Sequence, residues 1–320
     1  MKQVRRLLFF LVFSCAFEPL TAAPLEVRTG VYLLNLYDLN MDEHSFYADF
    51  YVWFKWRGDV DPTNIEFVNM VEKWGQTQAE FADSIATLRD GTHYKIMRVE
   101  GRFFHSFSLG SFPLDVHALD IQIENPDLPA DSVVYLPDNQ SNPAAVRNTL
   151  HLVGWDMKGC RAVSSVHDYG TDFGNPEENA RQFSNLTFTL HIARPFSYFL
   201  LKMMLPLLVV MLVSIGALLL HPQYIDPRSQ LPIGGLLTAV FLQQSYNSAL
   251  PDTGYMVLMD KIYLLCYLLI SGVLLQVIIA GNLLTKGSKS SIKKVDMQER
   301  WLALTFALLF GVGVVVLCVE

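Results

Sequence analysis

Four long stretches without charged residues follow residue 200, and they constrain the fold of this chain more than any other feature. They span residues 203–220, 231–251, 262–285 and 301–319. Each is about long enough to cross the hydrocarbon core of a bilayer as a helix, which takes roughly 20 apolar residues. Pro206 and Pro232 fall inside two of them, and transmembrane helices tolerate proline. The pattern predicts four membrane-spanning helices, and the less favoured alternative is four buried helices of a soluble protein.

Upstream of Arg194 the pattern changes to short segments rich in β-branched and aromatic residues, separated by Gly, Pro, Asn and Asp turns. Residues 186–192 alternate between apolar and polar side chains, the period of a half-buried strand. Many short strands at this spacing predict an immunoglobulin-like β-sandwich of about ten strands. The predicted strands cover residues 31–36, 44–56, 103–107, 117–124, 133–136, 150–155 and 183–192.

The charge is unevenly distributed between these two parts. Residues 24–194 contain 13 Lys and Arg against 24 Asp and Glu, a net charge of −11, whereas the whole chain carries −7. A nucleic-acid partner would need a basic face, so nucleic acid is excluded for this part. An acidic vestibule would raise the local concentration of cations, and the alternative is an ordinary solvated acidic surface.

The first residues resemble a secretory signal peptide. Basic residues precede the apolar run 7–13, and a small-residue site follows at Thr21-Ala22-Ala23. We expect residues 1–22 to be removed and the β domain, residues 23–194, to be exported.

Lys and Arg are concentrated in the predicted loop 284–299 and at Arg300, and the positive-inside rule places that loop in the cytoplasm. Four crossings then return Glu320 to the outside.

Motifs for enzymatic or metal chemistry are missing from the sequence. It contains no Gly-x-Ser-x-Gly, no His-Glu-x-x-His and no Gly-rich phosphate loop, so we predict no enzyme and no cofactor. Outside the signal peptide, Cys160, Cys266 and Cys318 are too scattered for a disulfide framework or a metal site.

The second apolar stretch carries a polar and small-residue stripe. At 100° per residue, seven side chains fall on one face about 100° wide. They are Gln230, Gly234, Leu237, Phe241, Gln244, Ser245 and Ser248. A polar face inside a membrane indicates either a water-filled cavity, which needs a ring of subunits, or contacts that hold helices together.

On the pore interpretation, Leu237 and Phe241 form apolar rings that gate by dewetting. Asp226 lies at the cytoplasmic mouth, where a ring of carboxylates favours cations. Arg228 either pairs with Asp226 or points away from it.

The order of these elements, with the motifs between them, resembles the pentameric ligand-gated ion channels, also called Cys-loop receptors. Phe112-Pro113-Leu114-Asp115 resembles the family's FPxD signature, and Leu205-Pro206 resembles its first-helix proline. Leu250-Pro251 with Tyr255 resembles the linker between its second and third helices. The likeness is greatest to the bacterial amine-gated type. It implies a homopentamer around a central pore, with a four-helix transmembrane domain in residues 195–320 and helices at about 196–220, 228–249, 256–283 and 300–319.

The resemblance also implies an agonist site between neighbouring β domains. It places Glu66, Glu124, Tyr169 and Phe183 on one side, and Tyr51 and Arg98 on the neighbour. Carboxylates and aromatic rings suit an organic ammonium, by ion pairing and cation–π contact. The alternative is that Phe183 and Tyr51 belong to the sandwich core and that Glu66 pairs with Arg98.

A proton-gated variant is a second interpretation of this site. Asn125-Pro126 occupy the positions after Glu124 where the family has an aromatic residue. The titratable candidates are Glu66, Glu124, His105, His117, His167 and His191.

The resemblance implies that the junction between the domains couples ligand binding to the pore. The expected coupling residues are Asp42, Glu43, Phe112, Pro113, Asp115, Arg194, Leu250, Pro251 and Tyr255. An ion pair of Arg194 with Asp42, Glu43 or Asp115 is expected there.

The predicted function is therefore a cation-selective channel in a bacterial inner membrane, opened by a small amine-like ligand or by pH. Its partners are four further copies of the chain, membrane lipids, a small-molecule agonist and permeant monovalent cations. The alternative function is a membrane-anchored periplasmic ligand sensor that does not conduct.

Overall fold

The computed structural model describes residues 23–71, 77–80, 85–174, 182–248, 250–286 and 289–319, and every structural statement below refers to these. The predicted signal peptide, the Asn175-Pro176 turn and Glu320 lie outside the described residues.

The first part of the chain forms two β-sheets. One has the strand order β4-β6-β2-β1-β8, with β5 paired to β6 and β9 to β1, and the other has the order β10-β11-β7-β3. Strands β8 and β9 run parallel to β1, and the other pairings are antiparallel. The described strands are β1 (Leu25–Asn40), β2 (Ser45–Trp56), β3 (Glu66–Phe67), β4 (Thr77–Glu80), β5 (Ala86–Thr87), β6 (His93–Phe104), β7 (Val116–Glu124), β8 (Val133–Pro137), β9 (Ala144–Val146), β10 (Asp156–Asp168) and β11 (Gln182–Ala193).

Alternate side chains of the central strands fill the space between the sheets. Phe46, Phe50 and Phe54 of β2 are fully buried, and Leu186 and Phe188 of β11 meet them from the other sheet. This period of two leaves the intervening residues on the outer faces, where the candidate site is built.

Four helices follow the sheets. The first, α1 (Leu205–Gly216), is preceded by π-helical turns at Tyr198–Met204 and followed by a 3₁₀ turn at Ala217–Leu219. The others are α2 (Ile225–Asn247), α3 (Leu258–Lys286) and α4 (Lys289–Val319).

Three segments of these helices are long and apolar enough to cross a membrane, namely Tyr198–Leu219, Leu258–Leu283 and Val295–Val319. Helix α2 has 23 residues but falls outside this group of described segments, because its polar residues lower its hydropathy. The β-rich domain followed by helices agrees with the predicted order of elements.

Three predicted boundaries are wrong. Residues 150–155 are irregular with a turn at 153–154, and the strand lies immediately after them as β10, an edge strand without a single buried residue. Strand β6 begins ten residues before the predicted segment 103–107, because charged outer-face residues interrupt its apolar pattern. The predicted loop 284–299 is mostly helix, since α3 continues to Lys286 and α4 begins at Lys289.

We expect Phe103→Ala to lower the free energy of unfolding by about 3–5 kcal/mol, because it removes a fully buried ring from the sandwich core. The Phe103 ring centroid lies 5.7 Å from that of Phe46 and 5.9 Å from those of Phe50 and Phe67. Thermal unfolding of the detergent-solubilised protein, followed by circular dichroism, measures the change. Phe104→Ala is the matched control, because that neighbouring side chain is 52% exposed, and an equal loss there would contradict the assignment of the core.

Candidate functional site

The outer face of the β3-β7-β11-β10 sheet brings together four of the predicted ligand residues. Glu66 of β3 pairs directly opposite Glu124 of β7, so the two side chains share one face. Tyr169 follows β10, and Phe183, the second residue of β11, pairs with His167. The chain therefore collects two carboxylates and two aromatic rings on one surface.

The Glu124 carboxylate is buried within a set of hydrogen-bond partners. Oε2 accepts a hydrogen bond from the Tyr169 hydroxyl at 3.0 Å, and Oε1 accepts one from Asn185 Nδ2 at 2.8 Å. His167 Nδ1 lies 2.7 Å from Oε1. Burial and the hydrogen bond to Glu124 raise the pKa of Tyr169, so its phenol keeps the proton that it donates. Three partners satisfy this carboxylate and hold it in place.

Glu66 contrasts with Glu124. Its side chain is exposed, and among the described residues no hydrogen bond or ion pair engages it. Of the two predicted carboxylates, Glu66 is the one that offers an accessible charge.

Aromatic rings line the other side of this surface. The Tyr169 ring centroid lies 4.1 Å from that of His167, 5.3 Å from Phe173 and 5.9 Å from Phe183. Phe183 is buried but outside the hydrophobic core between the sheets. Its absence from the cluster between the sheets favours the ligand-site interpretation of Phe183 over the core interpretation.

Tyr51 and Arg98 lie on the opposite sheet. They pair directly across β2 and β6, and Tyr51 alternates with the core residues Phe50 and Val52, so it too lies on an outer face. Arg98 Nε and Nη2 donate to the Asp49 carboxylate, each at 2.8 Å, and this guanidinium holds the pKa of Asp49 below its usual range. Arg98 thus pairs with Asp49 and not with Glu66, and one chain does not bring the two groups together.

The junction between sheets and helices is built around a buried carboxylate. Asp115 Oδ1 accepts a hydrogen bond from Arg194 Nε at 2.8 Å, and Asp115 Oδ2 lies 2.8 Å from His117 Nε2. The Arg194 guanidinium lies over the rings of Phe112 and Trp155, at 4.9 and 4.3 Å from their centroids. Of the three expected partners of Arg194, the structure selects Asp115. Asp42 is exposed, and Glu43 instead pairs with Arg102 at 3.2 Å.

The linker between α2 and α3 contacts the turn that contains Phe112. Leu109 N donates to the Tyr255 hydroxyl at 3.0 Å, and Leu258 N donates to the Gly110 carbonyl at 2.9 Å. The Phe112 ring stacks on Tyr246 near the end of α2. Leu250 and Pro251 are half-buried next to this contact, and Pro113 is buried in the turn.

Helix α2 has two distinct faces. All seven residues of the predicted stripe are exposed in the single chain, and Leu237 and Phe241 are 58% and 65% exposed. The buried face lies about 170° around the helix from the stripe and consists of Arg228, Pro232, Gly235, Ala239 and Tyr246. Gly235 is required there, because a Cβ atom would collide with the Ser214 side chain of α1. The packing of α2 leaves the stripe without a partner in the described chain.

Arg228 points away from Asp226. Its side chain is fully buried and donates from Nη2 to Glu299 of α4 at 2.5 Å and from Nε to the Ala217 carbonyl at 3.0 Å. Asp226, in the first turn of α2, stays exposed.

Sequence reasoning missed several of these partners. Asp49, Asn185 and Glu299 were not predicted, because each acts through a residue distant in the chain. His167 was named only as a titratable group. Its position two residues before Tyr169 signals a shared strand face, but the sequence pattern did not reveal β10.

Among the described residues, no cluster of His, Cys, Asp or Glu could hold a metal ion, and Cys160, Cys266 and Cys318 are free thiols.

Comparison with characterised proteins finds similarity to ion channels. The chain is 22% identical over 270 residues to a proton-gated ion channel of Gloeobacter violaceus, a match that covers 78% of this chain and 71% of the relative. A pH-sensitive chloride channel of Anopheles gambiae is 22% identical over 70% of the chain, and a glutamate-gated chloride channel of Drosophila melanogaster is 24% identical over 60%. These relatives are ligand-gated or pH-gated ion channels, and the similarity over most of this chain supports its resemblance to the pentameric ligand-gated ion channels.

The chain spans only 36% and 40% of the two insect relatives. No family model matches it. The channel relatives and the three apolar helices of the described chain support a membrane protein, and these relatives are ion channels, which are not enzymes. Two of these three relatives are chloride channels, so the family leaves the sign of the permeant ion open.

His105 forms a second titratable feature at the junction. Its ring centroid lies 4.7 Å from that of Phe107 and 5.5 Å from that of His117, and its buried Nε2 has no hydrogen-bond partner in the described structure. Burial, and secondarily His117 and His44, lowers the pKa of His105 to about 4, against a smaller opposing effect of Asp120.

We expect His105 to make the protein less stable as pH falls from 6.5 toward about 4. In that window the unfolded chain binds a proton at His105 and the folded chain does not, so the free energy of unfolding decreases. His105→Gln should reduce the slope of melting temperature against pH between these values. The exposed His151→Gln is the control, and identical slopes for the two variants would contradict the prediction.

Proposed function

We propose that this chain forms a homopentameric ion channel in which the five α2 helices line a central pore. The observation that carries the proposal is the division of α2 into a buried face and an exposed polar stripe. A stripe containing Gln230, Gln244 and Ser248 is costly against lipid but favourable against water. Five copies around an axis enclose such a stripe and shield α2 from lipid, which accounts for its low hydropathy beside three apolar helices.

We propose that the permeant ions are monovalent cations. Asp226 is exposed in the first turn of α2, where five copies form a ring of carboxylates. The exported domain, with its net charge of −11 over residues 24–194, adds a negative field above the pore. Leu237 and Phe241 form the apolar constriction that closes the pore by excluding water.

The proposed ligand is a small organic ammonium bound between neighbouring β domains. One subunit contributes Glu66 with the rings of Tyr169 and Phe183, and its neighbour contributes Tyr51. Glu124 shapes the site through His167, Tyr169 and Asn185, which already engage both of its carboxylate oxygens. Arg98, held by Asp49, borders the site and disfavours a ligand with a second positive charge.

Protons are the second candidate agonist, because the Glu124–His167 contact of 2.7 Å places two titratable groups inside the same site. One of the relatives is a proton-gated channel. Dose–response curves for amines at constant pH, against pH steps without amine, distinguish the two.

We propose a bacterial inner membrane as the location, with the β domain and the C-terminus in the periplasm. The signal peptide pattern, with Lys286 at the end of α3 and Lys289, Lys293 and Lys294 at the start of α4, supports this orientation. Lipids surround α1, α3 and α4.

We expect purified protein in planar bilayers to conduct cations when amines are applied or the pH is stepped. In Leu237→Cys, a membrane-impermeant thiol reagent should block the open channel, because residue 237 lines the pore. Ala239→Cys is the matched control, since Ala239 is fully buried on the opposite face of α2. A monomeric particle without current under any condition favours the non-conducting sensor, and block of both variants alike contradicts the pore face.

We expect Glu66→Gln to raise the amine concentration for half-maximal current by roughly tenfold, the effect of losing a charge-assisted hydrogen bond. The unitary conductance should not change, because Glu66 lies in the β domain. Glu26→Gln is the control, since it removes an exposed carboxylate of β1 that pairs with Arg28. An unchanged potency for Glu66→Gln removes this residue from the ligand site.

A further inference from the structure

We infer that Glu299 of α4 determines ion selectivity from outside the pore, by neutralising Arg228 and holding it away from the permeation path. This inference rests on the proposed function, since it concerns the charge at the mouth of the proposed pore. It assigns to α4, a helix with no pore-lining residue, control over which ions pass.

Arg228 is the residue that could reverse the selectivity. It lies only two positions from Asp226, at the same end of α2, and it is the largest fully buried side chain of the described structure. Two residues correspond to a rotation of about 200° on a helix, so the guanidinium and the carboxylate leave α2 on opposite sides. Five exposed arginines at this level would attract anions.

Glu299 is the acidic partner that holds the guanidinium in the protein. The Arg228 Nη2 to Glu299 Oε1 distance is 2.5 Å, and neither side chain is exposed to solvent by more than 1%. The Ala217 carbonyl, in the turn after α1, accepts from Nε at 3.0 Å. Three elements, the turn after α1, helix α2 and helix α4, therefore meet at this one guanidinium.

Glu299 has no other hydrogen-bond donor in the described structure. Its second oxygen, Oε2, is buried without a partner. A buried carboxylate left half-satisfied is costly, so its presence indicates a role for its charge. The acidic residue nearest to Glu299 on α4, Asp296, already pairs with Arg300 on the exposed side of the helix, at 3.0 Å.

The pair removes the arginine from the pore electrostatically as well as sterically. With Glu299 ionised, Arg228 and Glu299 together carry no net charge, and an ion at the mouth interacts with Asp226 alone. Without Glu299, one uncompensated positive charge per subunit remains in a low-dielectric region, where salt screens it little.

The test is the reversal potential in asymmetric NaCl, recorded for purified protein in planar bilayers. Wild type should favour sodium over chloride. Glu299→Gln should lower the sodium-to-chloride permeability ratio by about tenfold, the effect of an unscreened unit charge near the ion path. Arg228→Gln/Glu299→Gln should restore the wild-type ratio, because the pair's net charge returns to zero.

Asp296→Asn is the matched control. It removes the same charge from the same helix three residues away, but its partner Arg300 is 67% exposed and therefore screened by solvent. Its permeability ratio should stay within about twofold of wild type.

A wild-type ratio in conducting Glu299→Gln channels overturns the inference. A loss of selectivity in the double variant equal to that of the single variant also overturns it. If the single variant does not assemble, the permeability ratio of the double variant decides the question. These outcomes differ from failure of the proposed function, which appears as absent current or anion selectivity in the wild type itself.

Discussion

The Asp115 carboxylate is the buried charge on which the arrangement of the two parts depends. It ends the Phe112 turn, accepts a hydrogen bond from Arg194 just before the first helical turns, and lies 2.8 Å from His117 on β7. A buried charge of this kind is stable only when its partners are in place. The last strand therefore enters the membrane-spanning part beside the Phe112 turn, and that turn rests on Tyr246 and the linker before α3.

A buried charged residue held by hydrogen-bonding partners also occurs at two other places in the molecule. Glu124 is buried under three partners in the outer-face cluster, and Arg228 is buried against Glu299 at the other end of α2. In each case one charged residue is held inside while a second remains exposed nearby, Glu66 in the first and Asp226 in the second. The exposed member is the one available to a ligand or an ion, and the buried member sets the geometry around it.

Much of the fold could be predicted from the sequence. Strands β2, β7 and β11 bury alternate apolar residues, and three of the helices contain long apolar runs, so periodicity predicts the strands and the length of the runs predicts the helices. Strand β10 could not be predicted, because an edge strand with no buried residue has no apolar alternation to reveal it. The basic residues of 289–294 belong to a helix, since charge alone does not distinguish an exposed helical turn from a loop.

The candidate site, like the fold, could be predicted from the sequence only in part. The sequence by itself determined the helix stripe, because the stripe depends on residue type and helical spacing. The resemblance to a known channel family supplied the carboxylates and aromatic residues of the β domain and the residues of the junction. Only the tertiary structure decided the partners: Arg98 with Asp49, Arg194 with Asp115, and Arg228 with Glu299. The pairs are separated by 49, 79 and 71 positions in the chain. Which charges meet over such separations is settled by sheet register and helix packing, and local sequence contains neither.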